Sequence, residues 1–134
     1  MKKPRMNNNV ILDSSALLAL LKNEPGSDIV ESLLGNIIMS SINVTEVATV
    51  LLDSEMTLQE CQDTVLPFIS AIMPYDEELA SLTADLRKQT KAYGLSLGDR
   101  SCIALGQKMK LPIYTADKTW GELQIENVGI KLIR

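Results

Sequence analysis

The stretch Val10-Ile11-Leu12-Asp13-Ser14-Ser15-Ala16-Leu17-Leu18-Ala19-Leu20-Leu21 decides the fold class. Its first three residues are a short β-favouring apolar run. Asp13-Ser14-Ser15 is a capping signal, and residues 16–21 are strong helix formers, apolar enough to be buried. A strand that hands over at once to a buried helix opens a βα unit. The alternation continues along the chain. Asn23-Glu24-Pro25-Gly26 breaks the first helix, and Ser27 is placed to cap a second, with Ile29, Val30, Leu33 and Leu34 on one face and Gly35 as its stop. Residues 36–40 read as a second strand, and residues 43–53 as a helix with Val44, Val47, Ala48, Leu51 and Leu52 inward. Thr57 caps a helix running to about Leu66. Residues 68–73 read as a third strand, ended by Pro74. Asp76 opens a long helix to about Tyr93, stopped by Gly94. Ser96-Leu97-Gly98-Asp99 is a capping box that starts a helix through Lys108. Residues 111–115 are a fourth strand, Ala116-Asp117-Lys118 turns into a short helix holding Trp120, and residues 130–133 are a fifth strand. The pattern predicts an α/β protein: a central, mostly parallel five-stranded sheet flanked by helices on both faces and joined by right-handed crossovers.

The 134 residues fit one domain, residues 10–134, preceded by a flexible tail at residues 1–9 in which Met6 offers an alternative start. The basic opening MKKPRMNNN is followed by no apolar signal core. Apolar runs reach about eight residues, short of the ~20 needed to span a bilayer, so a cytoplasmic protein with no membrane partner is expected.

Histidine is absent. That removes Ser-His-Asp and Cys-His catalysis, paired-histidine nuclease chemistry and histidine-ligated zinc. Cys61 and Cys102, in two helical patterns, read as buried free thiols. Polar chemistry must therefore rest on carboxylates, hydroxyls, amines or guanidinium groups. The net charge of −4 conceals an asymmetry: residues 6–86 hold thirteen acids and the single base Lys22, whereas residues 87–134 hold nine bases against four acids. An acidic chain is no general nucleic-acid coat, but one basic face remains available for local binding.

Ligands of open α/β sheets bind beyond the carboxyl ends of the strands, where the strand order reverses. Four acids fall at that edge with apolar neighbours: Asp13 after strand one, Glu46 in the first turns of the helix after strand two, Asp99 opening the helix before strand four, and Asp117 after it. Glu31, Glu55, Glu60, Asp63, Glu77 and Glu78 read as solvent-facing helix charges. Taken singly, each of the four has a purely structural role open to it. Asp13, Asp99 and Asp117 sit where N-caps sit, and Asn43-Val44-Thr45-Glu46 can be a capping box. Together they would repel and raise one another's pKa. A divalent cation removes that cost, and an all-oxygen donor set suits Mg²⁺ or Mn²⁺. The matching chemistry is metal-assisted phosphodiester hydrolysis without a protein nucleophile.

These segments, together with Glu24-Pro25-Gly26, Asn43-Val44-Thr45-Glu46-Val47, Leu95-Ser96-Leu97-Gly98-Asp99-Arg100-Ser101-Cys102-Ile103-Ala104-Leu105-Gly106 and Tyr114-Thr115-Ala116-Asp117-Lys118-Thr119-Trp120, stand in a distinctive order. The chain resembles the PIN-domain ribonucleases, and within them the VapC-type toxins of bacterial toxin–antitoxin pairs, over residues 10–133. The resemblance implies a PIN-like fold and an acidic metal site of Asp13, Glu46, Asp99 and Asp117, supported by the hydroxyls of Ser15 and Thr115. It implies Mg²⁺- or Mn²⁺-dependent endonucleolytic cleavage of RNA and a homodimer. It also implies inhibition by a cognate antitoxin that wraps the toxin and fills its groove, with promoter DNA bound only through that antitoxin.

Further residues have two readings each. Arg100 either contacts an RNA phosphate or orients Asp99 and Glu46. Lys118 faces either the groove or water. Arg87, Lys88, Lys91, Lys108 and Lys110 form either a phosphate-positioning rim or solvated helix faces. Trp120 reads as a packing residue, and the apolar positions of residues 27–68 as core or as a surface for a partner. Competing functions are a non-catalytic PIN-fold binding module and a receiver-like signalling domain. The second needs paired acids after strand one, where Ser14 and Ser15 stand instead. A phosphatase of the Asp-x-Asp type is disfavoured by Ser15.

Overall fold

Five short strands make one parallel sheet: β1 (Val10–Leu12), β2 (Ile37–Ser40), β3 (Ala71–Met73), β4 (Ile113–Thr115) and β5 (Ile130–Leu132), in the order β3-β2-β1-β4-β5. The computed structural model describes residues 8–134; of the tail expected at residues 1–9, residues 1–7 lie outside that range. The chain starts at the sheet centre, travels outward to β3, then returns to the far side of β1 to lay down β4 and β5. The order therefore reverses between β1 and β4, and the region beyond their carboxyl ends is where open α/β sheets bind ligands. A receiver-like domain has the order 2-1-3-4-5, so the observed topology removes that alternative.

Alternate strand residues feed two cores. On one face Leu12, Ile37 and Met39 pack with residues of α1 (Ser14–Leu21), α2 (Ser27–Ser32), α3 (Ser41–Asp53) and α4 (Leu58–Val65). On the other, Ile11, Ile38 and Ile113 pack with α5 (Glu77–Asp85), α7 (Leu97–Met109) and Trp120; between those helices lies the one-turn α6 (Arg87–Thr90). A parallel sheet must be covered on both faces, and continuous apolar triplets such as Val10-Ile11-Leu12 meet that need. Cys61 and Cys102 are free and buried, and Trp120 is fully buried, as expected. Among the described residues no helix is long and apolar enough to cross a membrane.

Several element boundaries depart from expectation, each for a local reason. Ser27 does not cap α2: Gly26, at φ +94°, is the N-cap, and an added Cβ there would lie 2.7 Å from the Ile133 carbonyl oxygen. Helix α3 begins two residues early because the Ser40 hydroxyl accepts from Ile42 N, so the segment at residues 43–46 is not a capping box. The third strand is shorter, since Pro67 sits in a 3₁₀ turn over Leu66–Phe68 where its missing N–H costs nothing. The long helix expected from Asp76 to Tyr93 is broken after Asp85. There Thr90 Oγ1 donates back to the Leu86 carbonyl at 2.8 Å, a contact that bends helices, and the last turn, Lys91–Tyr93, is 3₁₀ before Gly94 at φ +66°.

Helix α7 lies close on the sheet because Gly106 has no side chain. A Cβ there would sit 2.5 Å from Ile113 Cδ1 and 3.1 Å from Val128 Cγ2. Gly106→Ala gains up to about 1 kcal/mol of helix propensity but overpacks this contact. A net loss of about 1–2 kcal/mol is expected, read as a lower denaturant midpoint at unchanged m-value.

Candidate active site

The β1–α1 handover places Asp13 at the switch point. The residue is 3% exposed and is the N-cap of α1, its Oδ1 accepting from Ala16 N at 2.9 Å. The Ser15 hydroxyl shares one proton between both Asp13 oxygens, at 2.8 and 2.9 Å. Thr115, at the end of β4, donates to Asp13 Oδ2 at 2.6 Å. Both hydroxyls are themselves aimed by backbone amides: Ala116 N donates to Ser15 Oγ and Asp117 N to Thr115 Oγ1, each at 3.0 Å. The expected supporting hydroxyls thus do contact the acid.

The other three acids arrive from separate elements. Asp99 is the third residue of α7 and closes a capping box, its Oδ2 accepting from Ser96 N at 3.0 Å while Ser96 Oγ accepts from Asp99 N. Asp117 caps the 3₁₀ turn Lys118–Glu122 through Thr119 N. Glu46 lies on α3 and is no cap; its Oε1 accepts from Asn43 Nδ2 at 2.8 Å. An added Cβ on Gly98 would collide with the Glu46 carboxylate, so that carboxylate rests against the first turn of α7.

Asp99 is the acid whose charge links the others, to Asp13 on one side and to Glu46 and Asp117 on the other. Burial pushes the Asp13 carboxyl up to about 6, against the lowering effect of its Thr115, Ala16 and Ser15 hydrogen bonds, and the Asp99 charge adds to the rise. Burial also raises Asp99, with the charges of Glu46 and Asp117 acting in the same direction. Beneath them, burial raises the Cys102 thiol, helped by the charges of Asp13, Asp99 and Glu46. The donor set is all oxygen, and its mutual repulsion is what a hard divalent cation relieves. Yet among the described residues no group of three or more acids is arranged to hold a metal ion as it stands. Asp13, Asp99 and Asp117 each commit an oxygen to a helix cap, and Glu46 commits one to Asn43.

The remaining sequence candidates separate. Arg100 does not orient Asp99 or Glu46: its Nη1 donates to the Thr83 carbonyl at 3.1 Å, tying α7 to α5, and it forms no bond to either acid among the described residues. Lys118 is exposed, which both of its readings allow. The basic rim is divided. Lys108 pairs with Asp76 at 3.4 Å and Glu78 at 3.1 Å. Lys110 caps the far end of α7, about 16 Å along the helix axis from Asp99. There it lines a groove of about 460 Å³ with Leu111, Pro112, Asn127, Val128 and Gly129, at the amino edge of the sheet and away from the acids. Arg87, Lys88 and Lys91 are exposed on the segment leading into α7. Asn43 and Gly98 are contacts of Glu46 that reading the sequence for function passed over. Their signals were an amide three residues before an acid on one helix face, and a glycine inside a capping box.

With this geometry established, the PIN domain family model matches residues 10–125. The chain belongs to the PIN-domain family. No curated protein sequence matches it significantly. Solved structures similar to this PIN domain include a toxin–antitoxin complex from Klebsiella pneumoniae, at 20% identity and TM-score 0.72, covering 90% of this chain and 95% of that one. A DNA-bound VapBC from Salmonella typhimurium matches at 16% and 0.69, covering 94% and 98%. VapBC2 from Rickettsia felis, bound to a DNA fragment from its promoter, matches at 17% and 0.71, covering 92% and 97%. These likenesses establish a shared PIN fold.

A carboxyl whose folded pKa is about 6 against 3.8 unfolded costs the PIN domain stability once it ionises. Below about pH 4 it is protonated in both states and costs nothing. The loss grows between about pH 4 and 6 and is constant above. Asp13→Asn keeps a cap-competent oxygen and removes the charge. In metal-free buffer it is expected to be more stable than wild type by about 1–3 kcal/mol at pH 7. Paired denaturation curves should show that advantage vanish towards pH 4.

Proposed function

We propose that the chain is a metal-dependent endoribonuclease toxin of the VapC type, restrained by a cognate antitoxin. The observation that carries the reading is the convergence of Asp13, Glu46, Asp99 and Asp117, from four separate elements, on the sheet edge where the strand order reverses. Asp13, Asp99, Asp117 and Glu46 would hold Mg²⁺ or Mn²⁺ through their carboxylate oxygens. The ion supplies charge neutralisation and activation for in-line displacement at a phosphodiester.

The chain's own residues do the rest. Ser15 and Thr115 fix the Asp13 carboxylate in one orientation. The buried floor under Asp13 and Cys102 excludes water from below and strengthens every charge interaction above it. Arg87, Lys88 and Lys91 offer an exposed cationic edge beside the α7 start, suited to the sugar–phosphate backbone of RNA. Tyr93, 39% exposed on that segment, reaches the 118–122 turn through its hydroxyl, which donates to the Glu122 carbonyl at 3.4 Å.

The partner half of the reading draws on the toxin–antitoxin complexes among the fold's neighbours, two of which carry DNA. Promoter contact would come through the antitoxin, in keeping with a chain of net charge −4. Part of the apolar set at residues 27–68 is core, including Val30, Val47, Leu51 and Val65. Leu34, Leu52, Leu58 and Leu66 stay exposed, which favours a protein partner or a second copy on that face. A non-catalytic PIN-fold binding module is the competing reading.

Purified antitoxin-free protein should cut total cellular RNA at few positions with Mg²⁺ or Mn²⁺, and not with EDTA. Asp99→Asn should lower the rate at least 100-fold while remaining folded. Folded wild type that cuts nothing with either metal would favour the binding module. Replacing Arg87, Lys88 and Lys91 together by Ala should weaken RNA binding. If all three contact phosphates, the log–log salt slope should fall by about 2, measured by titration with a catalytically silent background substitution.

A further inference from the structure

We propose that Asn43 and Gly98 form a seat for the Glu46 carboxylate. In this seat Asn43 is a positioning residue, and glycine is required at 98 to leave room for the acid.

Asn43 is a polar side chain 1% exposed, on the inner face of α3 and three residues before Glu46. It caps nothing, because Ser40 holds that role. One nitrogen, Nδ2, donates both to Glu46 Oε1 at 2.8 Å and to the Gly98 carbonyl at 3.2 Å. A single amide therefore ties the α3 acid to the first turn of α7, where Asp99 stands. Burying an amide costs free energy unless its hydrogen bonds are made, and Asn43 keeps its Oδ1 without a partner among the described residues. An apolar residue would fill this space at less cost, so what the amide contributes is the hold on Glu46.

Gly98 supports the same assignment from the other side. It is the second residue of α7 and does not have the positive φ that calls for glycine. Alanine would be the better helix former by about 1 kcal/mol. The three atoms nearest an added Cβ are all in the Glu46 carboxylate: Oε2, Cδ and Oε1. The missing side chain is thus the space that the acid occupies. Glutamate has three rotatable bonds, and without seat and amide it would swing away from Asp99 into solvent.

The test is a pair of double-mutant cycles. The first needs neither metal nor RNA: melting temperatures in EDTA of wild type, Gly98→Ala, Glu46→Ala and the double variant. Gly98→Ala should lower the midpoint by about 4 °C or more in wild type and by nothing in the Glu46→Ala background. An equal drop in both backgrounds overturns the seat. The second cycle reads Mn²⁺ affinity by water-proton relaxation and rests on the metal-site reading above. Asn43→Ala should weaken Mn²⁺ at least 10-fold in wild type and leave it unchanged once Glu46 is Ala. Equal weakening in both would make Asn43 a purely structural residue and overturn its positioning role. Wild type that binds no Mn²⁺ would sink the metal site alone; the melting cycle then judges the seat, run also with Asn43→Ala in place of Gly98→Ala, where an equal drop in both backgrounds overturns the positioning role, and Asn43→Ser takes the place of Asn43→Ala if that variant does not fold.

Discussion

The burial of one carboxylate organises this molecule. Asp13 stands at the end of the central strand, 3% exposed, where ionisation is disfavoured by the lack of water. Its charge is tolerated because Ala16 N, Ser15 Oγ and Thr115 Oγ1 all donate to it. Those donors come from the β1–α1 turn and from the end of β4, so satisfying the acid fixes how two non-consecutive parts of the chain meet. The Asp117 amide, held on Thr115 Oγ1, then sets the start of the next turn. The sheet's switch point and the candidate site are thus one hydrogen-bonded object.

Capping and chemistry use the same atoms here. Asp13, Asp99 and Asp117 each cap a helical segment with a side-chain oxygen, and each also belongs to the proposed metal site. That double use keeps repelling carboxylates in place without a counter-ion, because every one has backbone N–H groups to accept from. Glu46 is the exception. It caps nothing and lies on the flank of α3, which is why its surroundings differ in kind from those of the aspartates.

Much of this was legible in the sequence because it is locally encoded. Val10-Ile11-Leu12-Asp13 announces a strand and its cap within four letters, and Ser96 to Asp99 forms the capping box that its spacing requires. The three aspartates were legible for the same reason, since each follows a strand or opens a helix; Glu46 was reached only through its place in the first turns of the helix after β2. What escaped was decided across the chain. The break after Asp85 falls in a segment whose letters read as continuous helix. Arg100 does not orient Asp99, its neighbour in sequence, because its guanidinium reaches Thr83 in space, seventeen residues away. Asn43 looked like a cap because the true cap, Ser40, doubles as the last residue of β2.

Trp120 is the chain's single tryptophan, and it lies wholly inside the second core, within the turn that Asp117 caps. Its indole N–H has no protein acceptor among the described residues. An indole in such a dry setting emits towards the blue, and three tyrosines add little competing signal when excitation is set to the indole edge. The molecule therefore carries its own optical probe three residues from an acid of the site. A shift of its emission to the red reports that the turn behind Asp117 has opened to water, with no label attached and no substrate present.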